Sequence, residues 1–333
     1  NSFCTLLVST YIPAPALESM SALATATAAT TALLPVLFLN HGGGPGPLLN
    51  EEMKAMMDHT SILAGWADHA AALRRRIEAH PRPVRAILLV SAHYEVKAPR
   101  VGGHAQPPMV YDYGGFPRAA YEFRYPAPGD PELAAAVVAA FKAEGFDNAA
   151  VEPERGFDHG VFVPLLKLFP EAAIPVVPVS VMRSQDVDEH VRLGRALSAF
   201  REDCLIIGSG ATTHNFAYQG TGDGAAFNDR LEEVLTVDGA MTVAERLAAL
   251  RGFLRWPDAV EAQQAGATEH FMPLVVALGA GIGRQSDEVE DRTAPGKVAH
   301  RTFMQTYRGR WTSFNVWFDT PEGLASLPRC SAP

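Results

Sequence analysis

AILLVSA (residues 86–92) is followed at once by His93. A continuous apolar run of this kind marks a strand covered on both faces, the habit of central strands in parallel sheets. Working outward, LLPVLFLN (33–40), IPVVPVSV (174–181) and CLIIGSG (204–210) have the same character. Helical spacing fills the intervals. It appears over 49–80, with Met53, Met56, Met57, Leu63 and Trp66 on the apolar side, and over 131–145, closed by a glycine. Further amphipathic stretches cover 187–200, 223–235 and 242–253. Strands alternating with helices predict an α/β fold, a mostly parallel or mixed central sheet flanked by helices. No repeat or Pro/Ser-rich linker divides the chain after residue 35, so one domain is expected over 35–333, behind an extension (1–34) of unknown role.

Bulk properties exclude several classes. A net charge of −9 argues against a general nucleic-acid surface, which needs clustered cations to meet phosphates. The one compact basic run, Arg74-Arg75-Arg76, falls in a helical pattern and reads as a solvated face. Cys4, Cys204 and Cys330 are widely separated and odd in number, suiting neither a disulfide framework nor a zinc ribbon. Cys204 reads as a small core residue. No Asn-x-Ser/Thr sequon occurs, and a reducing, cytoplasmic setting is expected. No stretch approaches the ~20 apolar residues that a bilayer span requires. The first basic residue is Lys54, so the leading segment lacks the charge of a targeting peptide.

The chemistry lies in five histidines, each beside glycine, proline or an apolar run: His41 (FLNHGGGPGP), His93 (ILLVSAHYE), His159 (RGFDHGVFVPL), His214 (LIIGSGATTHNF) and His270 (TEHFMPLVVALGA). Imidazole is the commonest protein metal ligand and the side chain best suited to moving protons near neutral pH. His41, His93 and His214 each follow a predicted strand, where open α/β sheets bind ligands. His59, His69, His80, His104, His190 and His300 sit in charged or loop-like surroundings and read as surface. HGGGPG lacks the Lys-Ser/Thr ending of a phosphate loop and does not match GxGxxG. Gly208-Ser209-Gly210 is no nucleophile elbow, because the second glycine comes one residue too soon. Glu269 and His270 are expected to open a helix; Leu274 and Leu278 share the His270 face, which makes His270 the better inward ligand and Glu269 its competitor. Two histidines with a carboxylate would suit a non-haem Fe(II) oxygenase, and three histidines a hydrolytic zinc centre. Residues 103–129, rich in Gly, Pro and Tyr, read as a long loop able to cover a site.

In this order, FLNHGGGP, LLVSAHYE, YDYGGFPRAAYEFRYPAPGDPELA, GFDHGVFVPLLKLFPEAAIPVVPVS, IIGSGATTHNF and EHFMPLVVALGA resemble the class III (LigB-type) extradiol ring-cleavage dioxygenases, above all their 4,5-DOPA dioxygenase branch. The resemblance runs from about residue 35 to about 282 and leaves the tail after Gly283 outside. It implies a LigB-like single domain with His41, His93 and His270 as metal ligands, His214 as acid–base histidine and His159 as a second active-site histidine. The implied metal is Fe(II), which Zn can replace in purified protein. The implied partners are a small catechol and dioxygen, with neither nucleic acid nor membrane, in a monomer or small homo-oligomer. Asn40 and Tyr94 stand where Ser and Trp are common, and neither change removes a ligand. His214 is expected to titrate near neutrality as a general base. Tyr111, Tyr113, Phe116 and Tyr125 are candidates to cover the ring, and Arg155 or Arg183 to meet a substrate carboxylate. The competing reading is a zinc-dependent hydrolase built on the same histidines.

Overall fold

The computed structural model describes residues 33–49, 51, 57–236, 241–283, 296–306, 309–320, 323, 324 and 327. Cys4, Cys330, Met53, Met56 and the side chains of Met57 and His300 lie outside what is described.

In chain order the strands are β1 (Val36–Asn40), β2 (Met57–Asp58), β3 (Ala86–Val96), β4 (Arg100–Gly102), β5 (Ala150–Glu152), β6 (Val176–Met182), β7 (Cys204–Gly210), β8 (Gly296–Thr306) and β9 (Gly309–Phe318). The helices are α1 (Thr60–Glu78), α2 (Pro131–Ala143), α3 (His159–Leu168), α4 (Val187–Leu197), α5 (Ala225–Leu235), α6 (Val243–Leu250), α7 (Ala259–Ala262) and α8 (Met272–Ile282). The strands form one sheet in the order β2-β8-β9-β1-β7-β3-β6-β4-β5. Its centre, β1-β7-β3-β6, is parallel, while β9 joins β1 and β8 joins β9 antiparallel. The sheet is therefore mixed, within the expected α/β class.

Alternation along the central strands explains why both faces are covered. Val36, Phe38, Leu88, Val90 and Ile206 pack on one side with α2, α4, α5, α6 and α8. Leu37, Leu39, Ile87, Leu89 and Ile207 pack on the other with α1 and α3. Every one of these strand residues is fully buried, so no polar face survives to betray the period of two. Each such Val, Leu or Ile contributes roughly 1.5–3 kcal/mol by leaving water. Cys204 is buried at the start of β7, as expected.

The tail beyond Gly283 supplies β8 and β9, and the Asn315 side chain on β9 accepts the Asn40 N–H at 2.8 Å. Two expectations are corrected. Arg76 is not merely solvated: its guanidinium forms a two-pronged pair with the buried Asp319 at 2.8 and 2.9 Å. His59, His69, His80 and His190 are buried rather than exposed. His190 shows how. Its Nε2 accepts the Met182 N–H at 3.0 Å and its Nδ1–H donates to the Asp186 carbonyl at 2.6 Å, so the neutral ring satisfies both nitrogens inside the fold. Among the described residues no helix is long and apolar enough to cross a membrane.

Candidate metal centre

The parallel strands β1, β7 and β3 end at one edge of the sheet, and the five histidines gather in the crevice there. His41 directly follows β1, with its N–H on the Gly210 carbonyl (3.1 Å). His93 lies in β3 where the register with β6 slips between Ser91 and Glu95, an irregularity that turns its side chain out of the ladder. His159 is the first residue of α3, capped by Asp158, whose carboxylate accepts the Val161 N–H. His214 follows β7 and is held by its N–H to the Ala262 carbonyl (2.7 Å).

His270 does not open a helix: α8 begins at Met272, and His270 occupies the turn before it. What fixes it inward is β7. The Ala211 N–H donates to the His270 carbonyl at 2.9 Å. A Cβ on Gly210 would stand 2.1 Å from that same oxygen, and one on Gly208 would stand 2.4 Å from the Pro273 carbonyl. The two glycines of Gly-Ser-Gly therefore admit the His270 segment against the strand, while Ser209 faces the opposite side.

There Ser209 Oγ donates to the Gly160 carbonyl at 2.5 Å, leaving its lone pairs to the Nδ1–H of His41 at 3.0 Å. His270 Nδ1 meets Glu269 Oε1 at 2.8 Å, and His93 Nδ1 lies 3.3 Å from Asp112 Oδ2. With an acceptor behind each Nδ1, each Nε2 carries a lone pair. These nitrogens face one another: His93 Nε2 is 3.3 Å from His41 Nε2 and 3.1 Å from His270 Nε2. Two lone pairs so close repel unless a cation lies between them. With metal–nitrogen bonds of ~2.1 Å, donors on one ion stand roughly 3.0 Å apart at right angles and roughly 3.4 Å apart at a tetrahedral angle. The spacing and the imidazole donor set thus fit a borderline divalent metal. Ligand atoms within 4.8 Å of one another also group as His41/His93/His159 and as His214/Glu269/His270, with His93 and His270 joining the two sets.

Electrostatics keep four of the rings neutral. Burial, then repulsion from neighbouring imidazoles, holds His41 and His270 well below the usual histidine value. Burial and His159 depress His93 to about 3, and burial with His93 and His159 depresses His214 to about 3. Burial and the neighbouring imidazoles thus hold His214 below the near-neutral titration expected of it. Burial raises the Glu269 carboxyl. Asp112 goes the other way. Burial opposes its ionisation, but the hydrogen bonds from His159 and the nearby His159 and His93 rings bring it down to about 2.

The cavity, ~270 Å³, is walled by the five histidines, the glycines after His41, and Tyr113, Phe116 and Phe216. His214 stacks on His270 with ring centroids 3.4 Å apart, and Phe216 meets His214 edge-on. Of the aromatic residues expected to cover the ring, Tyr113 and Phe116 line the cavity. Tyr111 and Tyr125 line a separate surface depression, and the Tyr125 hydroxyl donates to the Phe169 carbonyl. Neither arginine lines the cavity. Arg155 pairs with Asp158 and stacks on Tyr94, and Arg183 lies 3.9 Å from Glu95. The Asn215 side chain ties the turn after His214 to Val260, Gln263, Ala217 and Tyr218. Asp158, the sequence neighbour of His159, caps the helix, and the carboxylate on the imidazole is Asp112 (2.9 Å). In the sequence Asp112 stands out only as a lone acid between two tyrosines of the long loop.

Residues 46–300 match the family described as the catalytic LigB subunit of aromatic ring-opening dioxygenase. The chain is 40% identical over 259 residues to the dioxygenase tasH of Hapsidospora irregularis, covering 74% of this chain and 78% of that protein. It is 34% identical to the 4,5-DOPA dioxygenase extradiol of Portulaca grandiflora, covering 77% and 89%. Among solved structures it resembles the uncharacterized protein JW3007 of Escherichia coli K12, with TM-score 0.61, 24% identity and coverage of 86% and 99%, a likeness of fold.

Proposed function

The chain belongs to the LigB family of aromatic ring-opening dioxygenases, and from that premise we propose that residues 35–333 form a non-haem Fe(II)-dependent extradiol dioxygenase domain. The substrate we assign is a small DOPA-like catechol, consumed with dioxygen in a cytoplasmic setting. His41, His93 and His270 would hold the metal. The observation that carries this reading is the pair of Nε2–Nε2 approaches at 3.3 and 3.1 Å, with an acceptor behind every Nδ1. Bound Fe(II) supplies Lewis acidity toward the catechol oxygens and one-electron chemistry toward dioxygen.

The chain's own residues do the rest. His214, neutral and beside His270, accepts a phenolic proton and returns it to the opened product. As catecholate charge builds up next to it, its proton affinity rises. His159, its Nδ1 on Asp112, directs its other nitrogen to a second proton position. Tyr113, Phe116 and Phe216 flank the ring and exclude water. Both oxygen atoms enter the product, and cleavage beside the two hydroxyls (the 4,5 bond of DOPA) gives a muconic-semialdehyde-type compound.

The test is anaerobic Fe(II) loading, followed by DOPA, protocatechuate, caffeate or plain catechol with oxygen. One O₂ consumed per catechol, with a yellow ring-opened product, is expected. Turnover that survives metal removal would defeat the proposal, and ester hydrolysis with Zn and no oxygen uptake would replace it with the hydrolase reading.

A further inference from the structure

We propose that Asp112 is a positioning residue, whose single carboxylate clamps His93 and His159 together and couples the 103–129 loop to metal binding. Both of its oxygens are engaged. Oδ1 accepts from His159 Nδ1 at 2.9 Å and from the His159 backbone N–H at 3.0 Å, while Oδ2 lies 3.3 Å from His93 Nδ1. The two imidazoles are thereby held with ring centroids 3.8 Å apart. Their shared carboxylate fixes which nitrogen of each ring carries the proton, and so which points into the cavity. Partners of this kind behind ligating histidines are worth on the order of ten- to hundred-fold in metal affinity.

The backbone on either side makes the clamp a coupling device. Just before Asp112, Val110 N–H donates to the Phe157 carbonyl and Phe157 N–H to the Pro108 carbonyl, both at 2.8 Å. This short ladder sets the loop beside the start of α3, where the His159 N–H and the helix dipole favour a carboxylate. Just after it, Tyr113 and Phe116 form part of the cavity wall. A shift of Asp112 therefore moves a wall residue and releases a histidine in one displacement. Asp158 cannot substitute, because its oxygens are taken by Ser91, Arg155 and the Val161 N–H.

The inference rests on the reading above only in taking His93 as a ligand, and its test does not use turnover. Asp112→Asn keeps one oxygen for the two His159 donors but turns an amide N–H₂ toward His93 Nδ1–H. With Co(II) as the probe, measured against a chromophoric chelator, affinity is expected to fall on the order of ten- to hundred-fold while the metal-free protein keeps its thermal midpoint. Affinity within twofold of the parent would reduce Asp112 to a loop anchor and overturn the clamp. In the unsubstituted protein, Co(II) should slow hydrogen exchange of the amides at 110–116; identical exchange with and without Co(II) would overturn the coupling even if the variant failed to fold. Loss of Co(II) affinity in a protein that opens no catechol would sink the enzymatic proposal and leave this one standing.

Discussion

Replacing Gly210 by alanine tests how the His270 turn is seated. The new Cβ would lie 2.1 Å from the His270 carbonyl oxygen, where real Cβ contacts essentially never fall below 3.0 Å, so strand and turn must separate by about 0.9 Å. Gly210 does not have a left-handed φ, which removes conformational strain from the comparison. The obstacle is backbone on both sides, so no side chain can swing away. Overpacking of this kind costs about 1–3 kcal/mol. Stretching the 2.9 Å bond from Ala211 N–H to the same oxygen adds about 1 kcal/mol. Functionally, moving a reacting group by ~1 Å costs on the order of 10²-fold. We expect kcat/KM of the Fe(II)-loaded enzyme toward its best catechol to fall about 100-fold, together with a drop of several degrees in thermal midpoint. Gly114→Ala is the control, since a Cβ there meets nothing within 4 Å. If the two variants behave alike, the account of why Gly-Ser-Gly ends β7 is wrong.

Other outcomes follow from the same contacts. Ser209→Ala removes the acceptor behind His41 Nδ1–H, and metal affinity should fall on the order of tenfold or more; an unchanged chelator-competition curve would exclude the role. For His190, burial lowers the folded-state pKa, so between that value and the unfolded value near 6.5 the unfolded chain holds the extra proton. Stability is therefore fully present above about pH 6.5 and is lost as pH falls through the window, at ~1.4 kcal/mol per pH unit for each such group. Urea titrations of metal-free protein should show His190→Gln with a slope shallower by about one proton; parallel slopes would contradict this. Stripping the metal should lower stability by about 2.7 kcal/mol relative to protein held at a hundredfold excess of metal over Kd, and a thermal midpoint indifferent to chelator would argue against a resident ion.

The central parallel strands could be read directly because double burial leaves an unbroken apolar run, as in AILLVSA and CLIIGSG. The β8–β9 hairpin left no such trace: KVAHRTFMQT and GRWTSFNVWF mix charge with apolar residues, and their place beside β1 is fixed by long-range pairing. The same limit hid the buried histidines. In VDEHVRLG, His190 resembles the polar side of an amphipathic helix, and only the fold supplies the Asp186 carbonyl and Met182 N–H that satisfy it. The five site histidines were legible because glycines and strand ends flank them. His270 was assigned inward by a helix face it does not occupy; contact with Gly210 and Ala211 sets its direction. Asp112 had no local pattern at all, since its importance lies in residues 19 positions before it and 47 after.

Anomalous diffraction from crystals loaded anaerobically with Fe(II) bears most directly on the central claim. The account predicts a single iron peak at roughly 2.1 Å from the Nε2 atoms of His41, His93 and His270. A peak bonded instead to His159, or to His214 and Glu269, or two separate peaks, would contradict it.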